Sequence, residues 1–235
     1  MEKQEYENVF KAEDDHWWYA GMRDIFFSLS SEYLEKGMKI LDAGCGTGKN
    51  AEVLAKYGNV IAFDISDDAL QFSRKRGIKN LIKASVNFLP FKNNSFDFVT
   101  SFDVLYHNLA NDTLAVKEMS RVCKKDGFVF VRVPALISLM RSHDKVVHTR
   151  KRFYLRELEN ILEKSNLEIK KITYANFFLL PAVFLQKTAH GSDIKKTGAL
   201  LNSILRLILK SESLLLKHIN FPAGVSLIAL AQKTY

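Results

Sequence analysis

KILDAGCGTGKNAEVLAKYGNVIAFDIS, Lys39 to Ser66, decides how the rest of the chain is read. Ile40 and Leu41 are apolar, Asp42 is acidic, and the turn Gly44-Cys45-Gly46-Thr47-Gly48 follows at once. A helical pattern runs from about Lys49 to Tyr57. Gly58 and Asn59 break it, and Val60 to Phe63 form a second apolar run ending in Asp64. Strand, tight turn, helix and strand in that order make a βαβ unit. Glycines in the first turn let the backbone approach a ligand, and the helix behind them offers free N–H groups and the positive end of its dipole. An acid at the tip of the second strand, about twenty residues beyond the first glycine, is placed to accept hydrogen bonds from ribose hydroxyls. The unit therefore reads as a site for an adenosine-containing small molecule.

The glycine spacing narrows the choice. A dinucleotide fingerprint is G-x-G-x-x-G, whereas here the third glycine comes one residue early and Lys49 stands in its place. A P-loop is G-x-x-x-x-G-K-[ST]. Gly48-Lys49 imitates its end, but Ala43 holds the first glycine position and Asn50 replaces the magnesium-binding hydroxyl. Asp42, just before the turn, would repel a pyrophosphate and welcome a cationic amino-acid moiety.

These residues resemble the class I S-adenosylmethionine-dependent methyltransferases. Asp42-Ala43-Gly44-Cys45-Gly46-Thr47-Gly48 is similar to their first motif, and Asp64 to their ribose-binding acid. The resemblance implies a Rossmann-like α/β fold, a seven-stranded and mostly parallel sheet with an antiparallel last strand. It also implies S-adenosylmethionine as cofactor. Asp42, Gly44, Cys45, Gly46 and Gly48 are then expected at its methionine end, Asp64 and Ile65 at the ribose, and Ser85 and Val86 at the adenine. Ser85 is a departure: alignment on Leu89-Pro90-Phe91 puts it where the family usually has an aspartate for the adenine amino group. Its hydroxyl still accepts a hydrogen bond, but adenine recognition is expected to be weaker or rearranged.

The composition suits one α/β domain. The chain has 235 residues, 47% hydrophobic and 26% charged, enough for a sizeable core. The apolar run around Phe177 to Leu185 is short and contains Pro181, and MEKQEYENVF lacks the apolar core of a signal peptide. Two cysteines, Cys45 and Cys123, suggest neither a disulfide framework nor a metal site, and a cytoplasmic protein is the expectation. Net charge is +8, unevenly spread: residues 1–130 carry 17 Lys+Arg and 19 Asp+Glu, residues 131–235 carry 17 and 7. A basic C-terminal half suits an anionic substrate, a phosphate-bearing carrier, nucleic acid or an anionic membrane surface, against the plainer reading of solvated lysine.

Residues 5–35 have helix-like spacing through Ile25, Phe26, Leu29 and Tyr33. Trp17 and Trp18 are adjacent, so one helix face cannot bury both; one is expected in the core and the other in a cap over the cofactor pocket. Glu13-Asp14-Asp15-His16-Trp17-Trp18-Tyr19 with Arg23 also resembles the start of a methyltransferase subgroup that modifies glycans or small metabolites. That resemblance implies Tyr19 and Arg23 near the cofactor, Arg23 reaching its carboxylate. Ser66 or Asp67 caps a helix ending in Arg74-Lys75-Arg76, a basic run explained by the helix dipole.

Leu81 to Ala84 is expected as the third strand and Phe96 to Phe102 as the fourth, with Phe102 and Asp103 at the crevice where such sheets bind ligands. His107 is expected at the start of the following helix, as a structural residue or a general base. Asn111 to Val122 reads as a helix, Cys123 to Gly127 as a turn, and Phe128 to Val133 as strand five. SHDKVVHTRKRFY, Ser142 to Tyr154, resembles a substrate-facing segment of the same subgroup. His143 or His148 is placed to take a proton from a hydroxyl, and Arg150 or Arg152 to hold a carboxylate or phosphate, with Tyr154 beside them. A basic loop leading into a helix over Leu155 to Ser165 is the plainer reading.

Leu167 to Phe178 reads as strand six, 179–198 as irregular, Ala199 to Ile219 as a helix with a wide apolar arc, and Phe221 to Lys233 as strand seven, antiparallel to strand six. That helix packs on the domain, dimerises, or lies on a membrane surface, so a monomer or homodimer is open. A single domain is expected: a cap over 1–36, a core over 37–178 and 220–235, and a helical insertion over 179–219. The expected reaction is oxygen methylation of a small or carrier-linked metabolite, such as a sugar. The alternatives are an RNA methyltransferase using the basic half and a non-catalytic S-adenosylmethionine-binding protein.

Overall fold

Apolar runs separated by helical segments should bury a parallel sheet between two helical layers. The computed structural model, which describes residues 2–136, 149–185 and 198–234, has that arrangement. Two helices, α1 (Lys3–Ala12) and α2 (Trp17–Ser30), precede the sheet. Then come β1 (Met38–Ala43), α3 (Lys49–Leu54), β2 (Gly58–Asp64), α4 (Asp67–Lys75), β3 (Leu81–Lys83), β4 (Phe96–Phe102), α5 (Asp112–Val122) and β5 (Cys123–Pro134). The chain closes with α6 (Leu155–Glu163), β6 (Leu167–Ala175), α7 (Leu180–Leu185), α8 (Ala199–Leu216) and β7 (Ser226–Lys233).

The described residues form a seven-stranded sheet in the order β3-β2-β1-β4-β5-β7-β6. β1 to β5 pair in parallel, while β7 is antiparallel to both β5 and β6. The order of strand addition reverses between β1 and β4, which opens a crevice beyond the C-terminal strand ends. Every residue of β4 but Asp97 is buried, as is the Val129 to Val133 stretch of β5 beside it.

Several boundaries differ from the sequence reading. β5 starts at Cys123, because the expected turn is absorbed as a bulge: Phe96 pairs with Cys123 and Phe98 with Phe128, and Asp126 takes φ +63° between them. β7 starts at Ser226, since Pro222 has no N–H for a ladder; Phe221 instead makes an isolated bridge with Tyr174. β6 ends at Ala175, and Pro181 stands in the first turn of α7, where irregular chain was expected.

The expected N-terminal helix is two helices, broken at Glu13 to His16. The His16 side chain caps α2, its Nδ1 accepting from Trp18 N at 3.3 Å. Met22, Ile25, Phe26 and Leu29 recur at helical spacing and are buried on the sheet, where Phe26 meets Phe102 and Phe130 edge-on. Each such side chain contributes about 1.5–3 kcal/mol of burial. α8 in turn lies across α2, crossing at Gly21, where an added Cβ would stand 2.4 Å from Leu209 Cδ1. Glu212 of α8 is buried and accepts the N–H groups of Asn176 and Phe178.

Candidate cofactor and acceptor site

The crevice beyond β1, β2, β4 and β5 opens into a cavity of about 750 Å³. Its floor is the glycine turn and Asp64, its far wall runs from Asp103 to His107 and across to Arg132 and Arg152, and the α1–α2 junction roofs it.

The turn is pinned to β2, with Gly44 N and Cys45 N both donating to Phe63 O at 3.0 and 2.8 Å. The three glycines are needed for different reasons. A Cβ on Gly44 would strike Val104, and one on Gly48 would strike Ser73. A Cβ on Gly46 would meet nothing within 4 Å, so this residue, at φ +54°, leaves bare backbone facing the cavity. Its N–H donates to Asp64 Oδ2 at 3.0 Å, and Asp64 Oδ1 accepts from Ser66 N at 2.9 Å. Burial raises the Asp64 carboxyl even though these backbone N–H groups oppose it.

Cys45, Ile65, Ser85, Val86, Phe102 and Asp103 all line the cavity with Gly44, Gly46 and Asp64, so the sequence-predicted set converges there. Ser85 Oγ accepts from Asn87 N at 3.3 Å. Two members do not reach the wall. Gly48 caps α3 with φ +90°. Asp42 is fully buried beneath the turn, with Oδ1 accepting from Thr100 Oγ1 at 2.9 Å and Oδ2 without a hydrogen-bond partner among the described residues. Burial pushes the Asp42 carboxyl up to about 7. Its expected direct contact is therefore corrected to an effect through space. A ligand with a ribose and a cationic amino-acid end fits this set: bare backbone at Gly46, acceptors at Asp64, and an uncompensated carboxylate oxygen below.

The roof is held by a residue that sequence reading assigned to the helix dipole alone. The Arg76 side chain is buried, donates to Thr47 O at 3.1 Å and Phe10 O at 2.9 Å, and pairs with Glu13 at 3.3 Å and Asp14 at 3.2 Å. Glu13 is itself buried and accepts from Thr47 Oγ1, so the cap and the glycine turn share one charged network. No local pattern links positions sixty residues apart. Trp17, Trp18, Tyr19 and Arg23 line the cavity, and Trp18 also packs on the core. Burial and the nearby Glu13 raise the Tyr19 hydroxyl, and Arg23 Nη2 donates to Glu13 O at 2.7 Å.

On the far wall, Asp103 has φ +56° and accepts from Arg132 Nε at 2.9 Å, while the guanidinium lies 5.3 Å from the Phe102 ring centroid. Arg132 was missed in the sequence, although a lone arginine near the end of the apolar strand FVFVRVP is a legible signal. His107 lines the cavity but belongs to an irregular stretch bridged to Thr149, with its ring 4.1 Å from that of Tyr106. It does not begin the helix: α5 starts at Asp112, where Asn111 Oδ1 accepts from Leu114 N at 3.0 Å.

Arg152 reaches the wall, donating to Ala135 O at 3.2 Å. Tyr154 does not: its neighbour Phe153 is fully buried, which turns Tyr154 outward to half exposure. Arg150 is also off the wall, paired with Asp112 at 3.3 Å. His143 and His148 lie outside the described residues. Among the described residues no cluster of His, Cys, Asp or Glu could hold a metal ion, and no helix is long and apolar enough to cross a membrane.

Residues 41–131 match the family described as methyltransferase domain. A demethylmenaquinone methyltransferase of Staphylococcus aureus is 38% identical over 104 residues, 41% of this chain and 43% of that protein. "Probable tRNA methyltransferase 9B" of Homo sapiens is 27% identical over 150 residues, 62% of this chain and 32% of that protein. The chain thus spans less than half the length of these two relatives. A solved SAM-dependent methyltransferase from Thermotoga maritima superposes with a TM-score of 0.63 at 19% identity, covering 98% of this chain and 95% of that one. S-adenosylmethionine is the cofactor that this family and fold imply. Residues 41–131 thus carry the pattern of a methyltransferase domain, and the seven-stranded sheet shares the fold of a solved SAM-dependent methyltransferase.

Proposed function

We propose that this chain transfers a methyl group from S-adenosylmethionine to a small or carrier-linked acceptor held in the same cavity, the first choice being a hydroxyl of a sugar-like metabolite. The observation that carries the reading is the cavity itself. Gly46 and Asp64 stand at one end, His107, Arg132 and Arg152 at the other, and aromatic side chains lie above. When bound, S-adenosylmethionine supplies a methyl group on a sulfonium centre.

The displacement is in-line, so the chain's part is alignment and exclusion of water. In this reading Asp64 and Ile65 hold the ribose, and Ser85 and Val86 the adenine. Gly44, Cys45, Gly46 and Arg23 hold the amino-acid end, while Asp42 and Gly48 support the turn from behind. Trp17, Trp18 and Tyr19 keep water out. His107 takes the acceptor proton, with His148 or His143, which the sequence offers for a substrate contact, as the alternatives. Arg152 holds an anionic group on the acceptor. Residues 1–36 act as the cap, 37–178 and 220–235 as the core, and 179–219 as an insertion within one functional unit.

The experiment is transfer of isotope-labelled methyl into a cell extract, run beside calorimetry with S-adenosylmethionine. Label in a small metabolite supports the reading. Failure to bind the cofactor sinks it and leaves the non-catalytic alternative behind with it. A second reading, methylation of RNA, draws on the human relative and on the basic 131–235 half. It requires label in RNA and binding that falls steeply with salt.

A further inference from the structure

α8 has a second apolar face that the described residues do not bury. Leu209, Glu212, Ser213 and Leu216 turn inward, whereas Leu200, Leu207 and Leu214 are 77%, 67% and 59% exposed. Leu201, Ile204 and Leu215 are exposed beside them. At about 100° per residue these positions form one stripe roughly 140° wide along the helix. Arg206, Lys210 and Lys217, all exposed, line up on one flank, between this stripe and the core-facing side. Glu212 is the sole acid between residues 198 and 220, and it is buried against backbone N–H groups. The outward half of the helix therefore offers leucines and cations with no anion.

That charge pattern selects the occupant. A second copy seated on the stripe would bring cations together with no acid on the helix to answer them. An anionic bilayer answers both features, because the leucines enter the acyl boundary and the cations meet headgroup phosphates. The part of the chain to which α8 belongs has the same sign, since residues 131–235 carry 17 Lys+Arg against 7 Asp+Glu. We propose that α8 docks this protein on an anionic phospholipid surface, lying in the interface without crossing it. The same helix reaches the cavity roof: Asn202 Oδ1 accepts from Trp17 N and its Nδ2 donates to Asp15 O, both at 2.9 Å. A docked α8 thus places the α1–α2 junction beside the membrane. The inference stands on this helix alone and holds whatever the methyl acceptor is.

Co-sedimentation of the full chain with vesicles tests it, comparing phosphatidylcholine alone with phosphatidylcholine mixed with phosphatidylglycerol. Binding is expected only to the mixed vesicles. Replacing Arg206, Lys210 and Lys217 by alanine should weaken it roughly 100-fold, at about 1 kcal/mol per cation. Leu207→Glu with Leu214→Glu should abolish it. All five positions are exposed, so the variants should fold, which unchanged melting and cofactor affinity would verify. Equal binding to both vesicles, or unchanged binding by either variant, overturns the proposal. So does a solution dimer that Leu207→Glu splits.

Discussion

Replacing Asp42 by asparagine should remove a pH dependence from the stability of the folded chain. The carboxyl is fully buried, one oxygen has no hydrogen-bond partner among the described residues, and burial moves its pKa from 3.8 to about 7. A group raised in the folded state holds its proton longer there than in the unfolded chain. Its contribution is complete below pH 4 and is lost as pH rises towards 7. One proton of difference is about 1.4 kcal/mol per pH unit, so the wild type should lose about 2–3 kcal/mol relative to Asp42→Asn between pH 5 and pH 8. Glu13, Asp64 and Glu212 are also raised by burial and tilt both proteins the same way, so the difference isolates Asp42. Urea unfolding of both proteins at pH 5, 6, 7 and 8 measures it. A difference that stays constant across that range would refute the reasoning, and one that grows in favour of the wild type would reverse it.

Asp64→Ala removes the acceptor of Gly46 N and the carboxylate proposed for the ribose. Calorimetry with S-adenosylhomocysteine should show affinity falling at least tenfold, since hydrogen bonds to a charged group are worth about 1.5–3 kcal/mol each. Arg76→Ala removes the guanidinium paired with the buried Glu13 and should cost about 3–5 kcal/mol, with protease cleavage appearing first between α1 and α2; an unchanged melting point counts against the network. Gly46→Ala and Gly48→Ala should separate ligand contact from packing. The first costs about 1–2 kcal/mol of stability from its left-handed φ but weakens cofactor binding, whereas the second strikes Ser73 and damages the fold itself. Equal effects of the two on cofactor affinity would remove Gly46 from the site.

What the sequence determined alone was local. The Lys39–Ser66 stretch disclosed its strand, turn, helix and strand because periodicity and turn chemistry act over a few residues, and the acid at its end follows from strand length. Most of the residues that line one end of the cavity were named from the family resemblance of that stretch, and β4 has the bounds the apolar run suggested. Tertiary structure decided the rest. Whether Asp42 touches the cavity depends on what lies above it, and Tyr154 faces outward because Phe153 won the core. Arg76 reads as an ordinary helix end until Glu13 and Thr47 are folded against it from distant parts of the chain. The second face of α8 is visible only once α2 has claimed the first. Side-chain periodicity says how many faces an element has, but burial is a property of the neighbours that long-range packing brings to it.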